Sequence, residues 1–325
     1  MKWIRLFSLL VLTCLSVEFS EAQTGKRLQA DTYRLLAIQE DTLKTLSNRM
    51  IQDIQAADRM RADSGFIRTL MRTLKTPYSF YYPFDSLQTV SILYPPDSSF
   101  RIFTWQFMKD EDYFRQRGMI QMNTANGEFV RHALFDISEF TDRPLDSIRT
   151  AANWIGAIYY KLVQKKFQGK NFYTLIGYDD NNIRSSKKWI EVLYFDDFGQ
   201  PVFGGNFFSF REDTIPKPDQ ARFVLEYKKE GRARVMYDED MDMILFDHLV
   251  SEIDEPNKKY TLIPDGDYEG FKWKNGQWVH IDKVFHFKLK DGEAPVGDGI
   301  LGDDGTIDEQ KLEEHSERNR RRKRN

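Results

Sequence analysis

Three aspartates at alternate positions, Asp238, Asp240 and Asp242, are the first group whose spacing could bind an ion. Alternating carboxylates match the start of a calcium loop, because calcium takes oxygen ligands. The rest of that loop is missing, since Met243 stands at the glycine position and Leu249 at the glutamate position. The alternative is a solvated hairpin tip. We therefore predict no tight metal site and no other cofactor, with these aspartates as the candidate ligands if a metal does bind.

The residues that usually act as nucleophiles or bases form no recognisable catalytic motif. Asp247 and His248 are neighbours, but adjacent residues of a regular strand point to opposite faces of the sheet. The other histidines show no metal-ligand spacing, and no Gly-x-Ser-x-Gly sequence is present. We predict no catalytic residue from motifs.

Paired carboxylates remain as an alternative, because a glycosidase sets their separation in space rather than along the sequence. The carboxylates that stand at the ends of predicted strands are Asp179, Asp180, Asp196 and Asp197. They would serve a hydrolase that acts on a glycan.

A basic cluster near the C-terminus is the strongest charge feature of the sequence. Its members are Arg318, Arg320, Arg321, Arg322, Lys323 and Arg324. The chain as a whole carries a net charge of -3, which argues against nucleic acid as the partner. The cluster is suited to acidic components of a cell envelope, namely lipid phosphate, an acidic glycan or an acidic protein. The alternative is a solvated tail without a partner.

Hydrophobic periodicity divides the chain into a helical part and a strand-rich part. Apolar residues recur every three or four positions between residues 28 and 75, which predicts helices interrupted at Asp63–Gly65 and ended by Pro77. From Tyr78 to Leu289, alternating segments are separated by turn residues, and Asn275-Gly276 is a strong hairpin signal. Phe, Tyr and Trp together make up 14% of the chain, which also favours strands.

These patterns predict a mainly β protein with a helical segment at residues 23–77 and an antiparallel β domain at 78–289. Residues 290–325 are predicted to be a flexible linker and a charged tail that can form a helix. No stretch between the predicted turns has the helical pattern that a parallel crossover needs. About a dozen strands are more than a twisted open sheet holds comfortably. We therefore expect one large sheet that curls into a barrel-like or two-layer arrangement.

The strand-rich region resembles a family of exported proteins from Bacteroidetes-type Gram-negative bacteria. The resemblance rests on Tyr82–Leu87, Phe100–Trp105, Leu175–Asp179, Phe246–Leu249 and Pro264–Phe271, and it covers most of residues 78–285. No activity is assigned to this family. The resemblance implies a compartment and leaves function open.

The first 22 residues have the three parts of a secretory signal peptide. Lys2 and Arg5 precede an apolar run, and Ser20 and Ala22 are small residues at the positions before a cut at Gln23. The run is shorter than the roughly 20 residues that span a bilayer, so we expect no transmembrane span after cleavage. Lipidation at Cys14 is the alternative, and an intact mass beginning at that residue would indicate it.

Export and the lack of catalytic motifs together favour a non-enzymatic function. We expect a binding or scaffolding component of the cell envelope, in the periplasm, associated with the outer membrane or outside the cell. The alternative is the glycan-directed hydrolase described above.

Deletion of residues 318–325 is expected to abolish salt-sensitive association with anionic vesicles and to leave folding unchanged. The segment from Lys311 to Asn325 carries seven basic and three acidic side chains. Each basic residue near an anionic surface contributes about 1 kcal/mol, and salt screens this attraction. Sedimentation of full-length and truncated protein with such vesicles, at low and high salt, measures the effect. Equal partitioning of both proteins at low salt would show that the tail has no such partner.

Overall fold

The computed structural model describes residues 28–110 and 113–285. The predicted signal peptide and the predicted charged tail lie outside these ranges. Two helices come first, α1 (Ala30–Gln52) and α2 (Ala56–Leu74). The strands are β1 (Ser91–Leu93), β2 (Phe100–Met108), β3 (Phe114–Met122), β4 (Arg131–Leu134), β5 (Arg149–Thr150), β6 (Ile158–Phe167), β7 (Lys170–Asp179), β8 (Ser185–Phe195), β9 (Pro201–Phe203), β10 (Phe208–Phe210), β11 (Lys217–Gln220), β12 (Arg222–Lys228), β13 (Val235–Asp238), β14 (Met243–Ser251), β15 (Leu262–Lys274) and β16 (Gln277–Ile281).

The break between the two helices lies at residues 53–55, before the interruption predicted at Asp63–Gly65. The guanidinium of Arg59 donates to the backbone carbonyls of Asp53 and Ile54 at 2.9 and 2.7 Å, and these oxygens lie in the break just after α1. Gly65 lies inside α2 instead. A Cβ at Gly65 would come within 3.1 Å of Leu46 in α1, so this glycine permits a close approach of the helices.

The strands form three sheets. The first sheet has the order β1-β2-β3-β4, and the central sheet has the order β5-β9-β8-β7-β6 with β12 also paired to β8. The third sheet has the order β11-β10-β16-β15-β14-β13. The named strands pair antiparallel except β10 with β16, which is parallel.

The prediction of a mainly β, antiparallel protein with N-terminal helices is confirmed. The predicted sheet arrangement was barrel-like or two-layered, and its barrel-like form is wrong, because the described strands form three sheets and none of them closes. The physical reason is that the inner strands bury apolar side chains on both of their faces. Such strands favour sheets that stack face to face over one sheet that extends edge to edge.

The stacked layers bury three apolar cores. In β2, Phe103 and Trp105 belong to the core that the helices cover, whereas Ile102 belongs to the core between the first and central sheets. In β8, Leu193 belongs to that second core and Val192 to the core shared with the third sheet. The period of two along each strand therefore places helices, first sheet, central sheet and third sheet in succession.

The hairpin predicted at Asn275-Gly276 joins β15 to β16. Both residues have positive φ, 50° and 83°, as a type I′ turn requires. Neither helix of the described part of the chain is long and apolar enough to cross a membrane.

A buried ion pair holds an irregular segment, residues 136–155, against the central sheet. Arg222 of β12 and Glu191 of β8 are opposite each other in the register, and both are almost fully buried. Arg222 Nε donates to Glu191 Oε2 at 3.2 Å, and its Nη1 donates to the carbonyl oxygens of Pro144 and Ser147. The tyrosine hydroxyl of Tyr159 donates to the other oxygen of Glu191. One guanidinium thus fixes both strand pairing and the path of the segment.

Replacing Glu191 by glutamine is expected to lower the free energy of unfolding by about 3 to 5 kcal/mol, because it leaves the charge of Arg222 buried without a counter-ion. Urea denaturation measures the loss. The matched control is Asp146→Asn, which breaks the exposed pair with Arg143 and should cost less than about 1 kcal/mol. Equal losses in the two variants would contradict a dominant role for the buried pair.

Candidate functional site

A partly enclosed cavity of about 130 Å³ lies where the first sheet, the central sheet and the segment 136–155 meet. Tyr113 comes from the start of β3, and Asp179 and Trp189 come from β7 and β8. The segment contributes Glu139 and Pro144. Three separate parts of the chain are therefore needed to form this cavity.

Asp179 is the buried carboxyl of the cavity, with 5% of its surface exposed. Its Oδ1 accepts hydrogen bonds from Gln116 Nε2 at 2.9 Å and from the backbone N–H of Asn181 at 2.8 Å. Asn181 has a positive φ of 56°, and its side-chain oxygen accepts a hydrogen bond from Lys187 at 2.9 Å. The turn after β7 thus surrounds Asp179 with donors.

Burial raises the pKa of Asp179 to about 6, against the ordinary value of 3.8. The hydrogen bond from Asn181 and the charge of Lys187 oppose that rise, whereas the nearby carboxylate of Asp136 adds to it. Desolvation dominates because a buried carboxylate loses its hydration. A carboxyl with such a pKa, lining a cavity, is typical of functional sites.

Asp136 fixes the wall of the cavity beside Asp179. Its carboxylate accepts hydrogen bonds from the backbone N–H groups of Gln116, Ser138 and Gly156, at distances of 2.9 to 3.2 Å. A Cβ at Gly156 would lie 2.1 Å from the Cβ of Gln116. Glycine is therefore required where the segment 136–155 crosses β3.

Two buried polar atoms at this site have no hydrogen-bond partner within the described residues. They are the indole Nε1 of Trp189 and the side-chain Oε1 of Gln116. The indole N–H faces Asp179 closely enough to lower the pKa of that carboxyl as a hydrogen-bond donor would, but the pair falls short of full hydrogen-bond geometry. A buried donor without an acceptor costs about 1 to 3 kcal/mol, so each such atom calls for an explanation.

The four carboxylates considered for a hydrolase do not come together. Asp179 is the last residue of β7 and Asp180 follows it at one end of the central sheet, whereas Asp196 and Asp197 follow β8 at the other end. The two ends are about 30 Å apart, given the rise of a strand. Asp196 accepts backbone N–H bonds in its turn, and Asp197 lies 3.7 Å from Lys170. Only Asp179 lines the cavity.

The aspartates considered for calcium lie at the β13–β14 turn. Asp242 binds Lys165 and the hydroxyl of Tyr237, and the carboxylate of Asp238 accepts the backbone N–H of Met241 at 2.8 Å. A lysine from β6 therefore supplies positive charge at this turn. Within the described residues, these aspartates are not part of a grouped set of metal-binding side chains.

Asp247 and His248 have separate partners. Asp247 accepts the backbone N–H of Arg234 at 2.7 Å, and His248 Nδ1 lies 2.8 Å from Asp265. The basic residues considered for partner binding, Arg318, Arg320, Arg321, Arg322, Lys323 and Arg324, lie outside the described residues.

No sequence motif contains Trp189, Gln116 or Asp136. Trp189 belongs to an alternating strand pattern and resembles any core residue there. The only available signal was a carboxyl at a strand end, which drew attention to Asp179 among four candidates. The contacts across β3, β7 and the segment 136–155 depend on tertiary structure.

No family model matches the chain, and no match is found among curated proteins or solved structures. These comparisons do not test the resemblance to exported Bacteroidetes-type proteins, which stays a prediction.

Replacing Asp179 by asparagine is expected to stabilise the fold at neutral pH and to leave its stability unchanged below pH 3.8. The folded-state pKa is raised, so the stability that this carboxyl contributes is present below the ordinary value and lost as pH rises through about 6. The shift corresponds to about 3 kcal/mol. Urea unfolding of both proteins at the two pH values measures it.

The control is Asp197→Asn, which removes the same charge from an exposed turn. We expect it to change stability equally at both pH values. Asp136, Lys187 and Tyr113 face Asp179 and are unchanged in both variants. A destabilisation by Asp179→Asn that is the same at both pH values would contradict a raised pKa.

Proposed function

We propose that this protein is an exported binding protein that takes one hydroxyl-bearing six-membered ring, such as the terminal sugar of a glycan, into the cavity beside Asp179. The observation that carries this proposal is the buried indole N–H of Trp189, which makes no full hydrogen bond within the described residues although Asp179 is close by. A ligand hydroxyl in the cavity would accept its hydrogen bond. Binding of a ligand in the cavity would thus account for the unsatisfied indole N–H.

The chemistry of the lining supports a ligand with several hydroxyl groups. Side-chain hydroxyls come from Tyr113, Ser138 and Thr141, and carboxyl groups come from Glu139 and Asp179. A sugar hydroxyl both donates and accepts, so it can use carboxylates and N–H groups at once. Apolar surface from aromatic and aliphatic side chains covers the less polar face of such a ring.

The charge of the lining disfavours an anionic ligand. Glu139 and Asp179 are acidic, and Lys187 is the basic residue among the lining side chains. Lys187 also donates to Asn181, which occupies part of its hydrogen-bonding capacity. A neutral or amine-bearing sugar therefore fits better than a uronic acid or a phosphate.

The volume supports a single ring. A cavity of about 130 Å³ is close to the roughly 150 Å³ of an engineered cavity that holds benzene. It is smaller than the 300 Å³ or more that is typical of drug-sized ligands. The cavity would therefore take a chain end or a monosaccharide. The signal-like residues 1–22 favour an activity outside the cytoplasm, which is consistent with a glycan of the cell envelope as ligand.

The test is calorimetric titration of the full chain with glucose, galactose, mannose, N-acetylglucosamine, glucosamine and glucuronic acid. We expect binding of a neutral or amine-bearing sugar and a much weaker response to glucuronic acid. Trp189→Phe keeps an aromatic ring and removes the N–H, so it should weaken binding about three- to tenfold, the value of one hydrogen bond.

Trp273→Phe is the matched control. Trp273 packs against Trp278, with ring centroids 5.2 Å apart, and does not line the cavity. We expect the Trp273→Phe variant to bind the sugar with the same affinity as the unchanged protein. Failure of every sugar to bind, or equal binding by the Trp189 variant, would overturn the proposal.

The raised pKa of Asp179 favours a second candidate function, a glycoside hydrolase in which Asp179 protonates the leaving oxygen. A carboxyl with a pKa near 6 is suited to that role, and Glu139 supplies a second carboxyl to the same cavity. Hydrolysis of aryl glycosides that falls as pH rises through about 6, and that Asp179→Asn abolishes, would support this function. Binding without turnover would support the binding protein.

A further inference from the structure

His280 lies at the edge of the core beneath the third sheet, with one ring nitrogen between two carboxylates. Its Nδ1 is 2.9 Å from Asp213 Oδ1 and 3.2 Å from Asp282 Oδ1. Asp213 follows β10, and His280 and Asp282 are two residues apart at the end of β16. One atom from each of the three side chains lies within 4.8 Å of the other two.

The other ring nitrogen is oriented by Glu269 of β15. His280 Nε2 lies 2.8 Å from Glu269 Oε2, so a proton on Nε2 would be donated to that carboxylate. With the proton held there, the lone pair of Nδ1 would face Asp213 and Asp282 and would be available to a cation. Carboxylate support of the distal nitrogen is the usual arrangement behind a histidine that binds a metal.

Asp213 gives an independent sign of a missing ligand. Its residue is 8% exposed, and its Oδ2 is buried without any hydrogen-bond partner within the described residues. Asp282 is better satisfied, because its Oδ2 lies 3.3 and 3.4 Å from the backbone N–H and the hydroxyl of Thr214. Asp213 Oδ2 is therefore a buried acceptor without a donor among the described residues.

The cluster of His280 and its neighbouring carboxylates carries a net negative charge. Asp213, Glu269 and Asp282 surround a single imidazole. The nearest lysine in sequence, Lys283, is paired with Asp267 at 2.8 Å instead. His248 lies on the far side of Glu269, with its Nε2 at 3.8 Å. A divalent cation would balance Asp213 and Asp282 with the imidazole neutral.

We propose that Asp213, His280 and Asp282 bind a zinc-class divalent cation. A nitrogen ligand selects such a cation over calcium or magnesium, which take oxygen ligands. Tetrahedral coordination at 2.0 to 2.2 Å needs donor atoms roughly 3.3 Å apart. The measured separations of Nδ1 from the two carboxylates, 2.9 and 3.2 Å, are close to this value. Three protein ligands leave a fourth position for water or an exchangeable ligand.

The sequence could not show this site, since spacing reveals only the pair His280-x-Asp282. The third ligand is 67 residues away and arrives through the parallel pairing of β10 with β16. The site does not depend on the cavity beside Asp179, so either proposal can fail without the other.

The test is calorimetric titration of the full, chelator-treated chain with zinc chloride. We expect one cation per chain, and Asp282→Asn should weaken binding at least tenfold. Asp282 has 47% of its side chain exposed, so this variant is expected to fold. Asp213→Asn should have the same effect, with folding checked by circular dichroism. Cobalt(II) absorption gives a second readout, because its visible bands report tetrahedral nitrogen and oxygen ligands.

The matched control is His248→Asn. His248 Nδ1 also lies 2.8 Å from a carboxylate, that of Asp265, but its side chain is not part of the metal-ligand group. We expect this variant to bind zinc as the unchanged protein does. Absence of stoichiometric binding, or equal affinity in the Asp282 variant, would overturn the proposal.

Discussion

The rest of the structure depends on the hydrogen bonds that the buried guanidinium of Arg222 donates. Its charge cannot reach water, so each of its donors must find an acceptor, and these acceptors come from distant parts of the chain. Glu191 gives the carboxylate, and Pro144 and Ser147 give carbonyl oxygens of an irregular segment. The wall of the cavity beside Asp179 is therefore fixed mainly by these hydrogen bonds, since the short strand β5 is the one strand of the segment that joins a sheet.

Arg101 shows the same principle without a carboxylate among its described partners. Its guanidinium donates to the carbonyl oxygens of Ser79 and Tyr82, to the hydroxyl of Tyr94 and to Gln121 Oε1. Aromatic rings lie 4.8 to 5.8 Å from its central carbon and stabilise the charge through cation–π interactions. Burial lowers the pKa of Arg101, in line with an uncompensated charge. Both arginines satisfy backbone groups that lack a regular ladder.

The local sequence pattern was sufficient to predict the strands and turns. It was not sufficient to predict how the strands assemble into sheets. The period of two in β2 and the turn at Asn275-Gly276 depend on neighbours in sequence, and both were predictable. The number of sheets was not, because apolar alternation shows that two faces are buried without showing what covers each one. The polar clusters were least predictable: Glu191 meets Arg222, and Asp213 meets His280, only through strand register. Asp179 was noticed for its position at a strand end, but its partners were not.

Other sheets cover both faces of the central sheet, and this limits how the chain can be divided into fragments. A strand such as β8 presents Leu193 to one neighbouring layer and Val192 to the other, so neither face can be left open to water. A fragment that ends before β13 would expose the apolar surface that the third sheet covers, and one that starts after β4 would expose the opposite surface. We therefore expect the three sheets to unfold as one cooperative unit rather than as separable modules.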